Sequence, residues 1–414
     1  MIDLNEYTPP EYACRCGKTH TAYTRRIETG EGAMIKLPEV CKELVAQGRV
    51  GIACDENVRT IAEEAERLLV RAGYRTKLFC SAPGDAYGQS QTLSGASEDV
   101  RLWVAVGCGS VADAVRYVAN VRKNEWVLVL TAPTTDAVLY PYCEFVRNGT
   151  RETFPAAPPI AAIADYTVIE NAPKFTIAAG YGTLLSKLVR AFDFYFDKLT
   201  DKRRCSYLTS EFEENLTDFF NTQSCESVSL RVCRTLLRLG IISQLADETD
   251  FCQGSEYFSS LCLRSRCGNS RLTGENAAIC SFLSYCVLDS YLAVSPEDLF
   301  IPSSLPEHIR FLDKQCGQNG ITLLSHAKRN RGSEADLYVL KEYAPDLDAK
   351  LRELFGNAKG SARQFRRLYD DAGYWLGSYC TRDVALRTVC AASAAYGEGL
   401  LSSLVFAGAL GQAV

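Results

Sequence analysis

The chain has 414 residues, of which 47% are hydrophobic and 23% charged, with a net charge of −5. These are the proportions of a globular protein with room for two domains, or for one large α/β domain with a helical partner. The acidic balance excludes a broad basic face for nucleic acid, and the run "DKRRC" (201–205) reads as a solvated helix end.

The chain opens with a cysteine cluster, "CRCGKTH", that places Cys14, Cys16 and His20 within seven residues. Read as metal ligands these supply three candidates without a second pair nearby; the alternative is a local turn with reduced thiols. The rest of the eighteen cysteines are scattered through helix and strand patterns, as small buried hydrophobes are in a reducing compartment. No N-terminal stretch has the pattern of a leader and no run is apolar for long enough to cross a bilayer, so the expected address is cytoplasmic.

From Arg49 the elements alternate. "RVGIACD" is a strand ending in Asp55, and "VRTIAEEAERLLVRAG" is a helix with Ile61, Ala65, Leu68 and Leu69 on one face and Gly73 as its stop. "YRTKLFCSAPG" and "DVRLWVAVG" are strands, "SVADAVRYVANVRK" a helix, and "EWVLVLTAPTT" a further strand. Continuous apolar strands separated by amphipathic helices mean βαβ units and a parallel, Rossmann-like sheet covered on both faces. After Asp165 helical periods dominate, over 183–199, 208–222, 226–245, 274–293, 334–355 and 360–410. "ENAPK" (170–174) is the expected hinge, dividing an α/β nucleotide-binding domain (1–169) from an all-α domain (170–414). The apolar closing stretch, "GLLSSLVFAGALGQAV", reads as a buried terminal helix.

Chemistry is expected at the strands' carboxyl ends. "VAVGCGSVADAV" joins a buried strand to a helix through Gly107, Cys108, Gly109 and Ser110, where a phosphate would meet backbone N–H groups; a purely steric glycine turn is the bland alternative. "LTAPTTDAV" offers the hydroxyls of Thr131, Thr134 and Thr135 and the carboxylate of Asp136, suited to a ribose, an amide or a substrate hydroxyl, or else forms an ordinary turn shaped by Pro133. Asp55 faces an adenosine ribose or caps the next helix.

Taken in order, these motifs resemble the bacterial glycerol-1-phosphate dehydrogenases, within the superfamily of iron-type alcohol dehydrogenases and dehydroquinate synthases. The resemblance runs through "CRCGKTHTAYTRRIETGEGAMIKLPEV", "GCGSVADAVRYVA", "APTTDAV" and "GNSRLTGEN", and is densest in "PPIAAIADYTVIENAPKFTIAAGYGTLLSKLVRAFDF". There Pro159, Asp165, Ala172-Pro173, Gly180, Gly182 and Lys187 keep the family's spacing. The resemblance implies hydride transfer between NAD or NADP and a small phosphorylated polyol or ketone. A divalent metal of the zinc, nickel or iron type would polarise the substrate oxygen. It also implies cofactor contacts at Gly107, Gly109, Ser110, Asp113, Thr131 and Thr134, substrate-side roles for Asp136 and Lys187, and a possible homo-oligomer.

The metal positions depart from that pattern. The family's first ligand, an Asp, is Thr183 here, and a His that follows a Glu is Asn276 after Glu275. The chain has three histidines, His20, His308 and His326, and none lies between 180 and 300. The expectation is therefore that the family's metal is not bound, which leaves either a dehydrogenase with an altered centre or a non-catalytic nucleotide-binding relative. A surrogate set from Asn276, Cys280, Cys286 and Asp289 on one helix is the remaining alternative.

Overall fold

The structure is a computed structural model. It describes residues 2–292, apart from 46–47, 85, 96–98, 148–149, 201–203, 222–223, 249–250, 255, 258, 261–262 and 264–271, and also residues 334–356. His308, His326, the 360–410 segment, the closing apolar stretch and the side chains of Cys286 and Asp289 lie outside what it describes. The chain divides into two compact units. The first holds Met1–Gly180 with Gln223–Phe251, and the second holds Tyr181–Thr222 with the chain from Cys252 onward.

The first unit is built on a six-stranded, wholly parallel sheet. Its strands are β3 (Arg26–Gly30), β4 (Arg49–Asp55), β5 (Arg75–Ser81), β6 (Val100–Gly107), β7 (Glu125–Leu130) and β10 (Ala161–Asp165), in the order β3-β10-β7-β6-β4-β5. Two hairpins accompany it, β1 (Glu11–Ala13) with β2 (Thr19–Thr21) and β8 (Tyr142–Arg147) with β9 (Thr150–Pro155). The helices of this unit are α1 (Leu37–Leu44), α2 (Arg59–Arg71), α3 (Ala86–Gly95), α4 (Gly109–Arg122), α5 (Tyr166–Glu170), the first turns of α6 (Lys174–Leu199), and α8 (Val228–Ala246).

Alternation along β4 shows why the sheet is covered on both faces. Val50, Ile52 and Cys54 join the core formed with Leu37, Val40 and Cys41 of α1 and Ala62, Ala65 and Leu69 of α2. Gly51 points the other way, where a Cβ would come within 2.7 Å of the Trp103 ring, so glycine makes room for the indole. On α2 the buried stripe is Ala62, Ala65 and Leu69, while the expected Ile61 and Leu68 are only half-buried. Gly73 stops that helix as anticipated: its φ of +90° suits glycine, and Tyr74 N–H turns back to the Leu69 carbonyl.

Several expectations change. The antiparallel pair β8 and β9 was not read from the sequence; its signal was the alternating pattern around Asn148-Gly149, a strong hairpin dipeptide. The helix expected from 183 begins at Lys174, directly after Pro173, so Gly180 and Gly182 lie inside α6 and do not open it. The 226–245 helix, expected in the helical half, belongs with the sheet as α8. There Gln244 accepts from Thr24 N–H at 3.0 Å and donates to Leu139 O at 2.7 Å and Thr24 Oγ1 at 2.9 Å.

In the second unit the remainder of α6, α7 (Ser206–Asn221), α9 (Thr273–Leu292), α10 (Glu334–Glu342) and α11 (Ala344–Gly356) are all helical. The expected 334–355 helix is split at Tyr343, where Pro345 starts a new helix. Gly182 explains one contact within this unit: a Cβ there would fall 2.2 Å from the Gly274 carbonyl and 3.0 Å from Ala278 Cβ, so α6 and α9 approach closely only through a glycine. Among the described residues no helix is long and apolar enough to cross a membrane.

Candidate functional site

The strand order reverses between β4 and β6: β5 lies to one side of β4, and β6, β7 and β10 follow in turn on the other. In an open parallel sheet the crevice beyond the carboxyl ends at such a reversal is where ligands bind. Asp55 ends β4 and Gly107 ends β6, so the two expected positions flank this crevice.

Gly107 and Gly109 differ in what they do. A Cβ on Gly107 would sit 2.9 Å from Val111 Cβ, so packing alone requires glycine there. A Cβ on Gly109 would meet no heavy atom within 4 Å, so nothing in the fold calls for glycine at that position. Gly109 opens α4, capped by Cys108 in an extended conformation. The N–H groups of Val111 and Ala112 turn back onto the Cys108 carbonyl, while those of Gly109 and Ser110 precede them at the helix head. This is the arrangement that holds a phosphate, and the open space over Gly109 is where one would lie.

Cys108, which sequence reasoning left out of the binding set, gathers the others. Burial pushes its thiol up, a hydrogen bond with Thr134 opposes that, and the charge of Asp55 adds to it. Asp55 is itself half-buried, and desolvation raises its carboxyl against the N–H groups of Asn57 and Val58, which favour the charged form. Asp55 also caps the following turn, accepting from Asn57 N–H at 2.9 Å, so both roles read from the sequence are open to it. Thr131 N–H donates to the Gly107 carbonyl at 3.2 Å, tying the loop after β7 to the end of β6.

The remaining sequence candidates have structural partners. Thr135 caps the 3-10 turn Asp136–Leu139, accepting from Ala137 N–H at 3.1 Å. Asp136 is 2% exposed and accepts from the Tyr140 hydroxyl at 2.5 Å. Asp113 accepts from Arg116 at 2.7 Å. Arg116 is fully buried and donates also to the carbonyls of Ala137, Val138 and Tyr142, which fixes the 136–142 loop against α4. An arginine on the apolar face of α4 was the available signal for this role. Gly180 and Gly240 press the chain that follows β7: a Cβ would lie 1.8 Å from the Pro133 carbonyl in one case and 2.7 Å from Leu139 Cβ in the other.

In the second unit Lys187 is buried and donates from Nζ to the Cys252 carbonyl at 2.7 Å. It faces Glu256, whose carboxyl desolvation pushes up to about 7 against the pull of Lys187 and Arg190. This buried charged group had no sequence signal beyond Lys187 itself. Thr183 is 8% and Asn276 is 1% exposed, and neither Asn276 Oδ1 nor Nδ2 has a hydrogen-bond partner. A neutral hydroxyl and an amide are poor ligands for zinc, nickel or iron. Among the described residues, the group of Cys, His, Asp and Glu side chains at metal-ligating distance is the one containing Cys14, Cys16 and His20, and it includes neither of these positions. Thr183 and Asn276, the residues at two of the family's ligand positions, do not fit a zinc, nickel or iron ion.

Residues 28–173 match the family model described as iron-containing alcohol dehydrogenase. The chain is 28% identical over 209 residues to a glycerol-1-phosphate dehydrogenase [NAD(P)+] of Bacillus licheniformis, covering 48% of this chain and 52% of that one. It is 23% identical over 267 residues to the protein of the same name from Methanosarcina acetivorans, covering 62% and 74%. The chain thus spans about half the length of the first curated relatives it matches. Among solved structures, an iron-containing alcohol dehydrogenase from Thermococcus thioreducens aligns with a TM-score of 0.56 at 15% identity, over 92% of this chain and 94% of that one. A probable glycerol dehydrogenase from Sinorhizobium meliloti aligns with a TM-score of 0.53 at 15% identity, over 90% and 96%. At such identities these structures establish the fold alone.

Proposed function

On the premise that the chain is a relative of the iron-containing alcohol dehydrogenases, carried by residues 28–173, we propose that it binds NAD or NADP at the crevice between β4 and β6. Its substrates are a small phosphorylated polyol and the corresponding ketone, as the similarity to glycerol-1-phosphate dehydrogenases suggests. The observation that carries the reading is Gly109, a glycine at a helix head that the fold does not need. The N–H groups of Gly109 and Ser110 hold the pyrophosphate, and Asp55 accepts from the adenosine ribose. Thr131, Thr134 and Thr135 lie along the nicotinamide half, with Asp136 and Lys187 on the substrate side. A cytoplasmic address and a homo-oligomer accompany this reading.

In such enzymes a bound divalent metal polarises the substrate oxygen. Thr183 and Asn276 do not supply that centre. Those two positions favour a second reading, a nucleotide-binding relative without turnover that serves as a sensor or an interaction partner. Titration with NADH and NADPH, followed by energy transfer from the tryptophans, tests the shared premise. Dihydroxyacetone phosphate is then added to the complex. Saturable binding with oxidation of the bound nucleotide establishes the dehydrogenase, and saturable binding without oxidation establishes the second reading. Failure of both nucleotides to bind refutes both.

A further inference from the structure

The N-terminal hairpin assembles three metal-ligating side chains that are not among the residues of the nucleotide crevice. Cys14 N–H donates to the Lys18 carbonyl at 2.9 Å and Gly17 N–H to the Cys14 carbonyl at 3.0 Å, closing the loop between β1 and β2. Gly17 sits at φ +88°, which a glycine tolerates without strain. This tight loop, with the return of β2, brings the Cys14 and Cys16 sulfurs and a ring nitrogen of His20 within 4.8 Å of one another.

His20 is oriented as a ligand would be. It is 3% exposed, packs against the Tyr12 ring at 5.3 Å between centroids, and directs Nδ1 to the Leu245 carbonyl at 2.6 Å. A carbonyl can only accept, so Nδ1 carries the proton and Nε2 presents its lone pair. Cys16 Sγ lies 3.2 Å from that Nε2. A carbonyl on the far ring nitrogen is the usual second partner of a metal-bound histidine. Tetrahedral zinc would place sulfur and nitrogen roughly 3.5 Å apart and two sulfurs roughly 3.8 Å apart, within small side-chain rotations of what is seen. Neither cysteine is in a disulfide. The hairpin has three residues in each strand, too few to hold their conformation on their own.

We propose that Cys14, Cys16 and His20 bind a structural zinc ion that fastens the β1–β2 hairpin to the end of α8 through the His20–Leu245 hydrogen bond. A water molecule or one more protein ligand completes the tetrahedron. Binding releases the two thiol protons and leaves both sulfurs as thiolates. The site is independent of hydride chemistry and of the positions of Thr183 and Asn276.

The test uses the full chain, with zinc as the probe. Elemental analysis of protein exchanged into metal-free buffer and returned to equimolar zinc is expected to find about one tightly held ion per chain. That ion is expected to be lost in C14S/C16S and retained in C225S, which removes an exposed cysteine outside the cluster. Because the double variant can fail to fold, the wild-type protein is also alkylated with and without zinc, and each cysteine is followed by peptide mapping. Zinc is expected to slow alkylation of Cys14 and Cys16 at least about tenfold and to leave Cys225 unaffected. Equal rates at Cys14 and Cys16 with and without zinc, or equal zinc in wild type and C14S/C16S, overturn the proposal. Nucleotide titration of the same samples is a separate readout, so failure here is distinguishable from failure of the crevice assignment.

Discussion

Replacing Gly109 with alanine separates a folding role from a binding role at one atom. The added methyl meets nothing within 4 Å, and the residue heads a fourteen-residue helix with no positive φ to preserve. Alanine is favoured over glycine in a helix interior by up to about 1 kcal/mol, and by less at the first turn. Stability in urea is therefore expected to hold or to rise by less than about 1 kcal/mol. A pyrophosphate resting on the Gly109 and Ser110 N–H groups would meet that methyl, so NADH and NADPH are expected to bind at least about tenfold more weakly, a loss of about 1.4 kcal/mol. G107A is the counterpart. Its methyl lies 2.9 Å from Val111 Cβ, so it is expected to lose about 1–3 kcal/mol of stability. Unfolding and nucleotide titrations run side by side read both quantities. Unchanged affinity in a stable G109A protein refutes the phosphate assignment, and a clear loss of stability refutes the claim that the fold leaves that space open.

Three further outcomes are expected. G180A drives a methyl to 1.8 Å from the Pro133 carbonyl, which no rotamer change relieves, so urea unfolding should show a loss of about 3 kcal/mol or more. Glu256, with its folded carboxyl raised to about 7, holds its proton more tightly folded than unfolded. Its contribution is therefore most favourable at acid pH and is lost as pH rises from the ordinary Glu range toward 7. The stability difference between wild type and E256Q, followed from pH 4.5 to 8 by denaturant titration, should move against the wild type by on the order of 2–3 kcal/mol across that window. A flat difference would remove Glu256 from this role. T183D restores one family ligand while Asn276 stays an amide, so zinc, nickel or iron added with NADH and dihydroxyacetone phosphate is expected to give no turnover; metal-dependent oxidation in T183D would show that Asn276 is not the missing partner.

The parallel sheet was readable because its signals are local. β4, β6 and β7 carry nearly unbroken apolar runs and α2 and α4 one apolar stripe each, and Gly73 marks a stop that backbone sterics require at that point; α3, which buries Gln89, Ser90 and Leu93, carries no such pattern and was not read. The same reading put Asp55 and Gly107 at strand ends, but their adjacency was decided by the fold, because β5 follows β4 in the chain and lies on its other side in the sheet. What sequence could not separate was why each glycine is there. Gly107, Gly180, Gly182 and Gly240 look as functional as Gly109, yet Gly107 yields to Val111 one turn on and the other three to neighbours distant in the chain; of the five, Gly109 alone has none. Nor does period reveal that α8 belongs with the sheet, because its allegiance lies in Gln244 and Gly240 meeting Thr24 and Leu139. Residue type alone established that Thr183 and Asn276 are poor metal ligands, whatever surrounds them. The convergence of Cys14, Cys16 and His20 was different: spacing named the three, but the turn at Gly17 and the Leu245 carbonyl, 225 residues away, decide how the imidazole is held. Local chemistry is written in neighbouring residues; close approach and orientation arise only when distant segments exclude one another's volume.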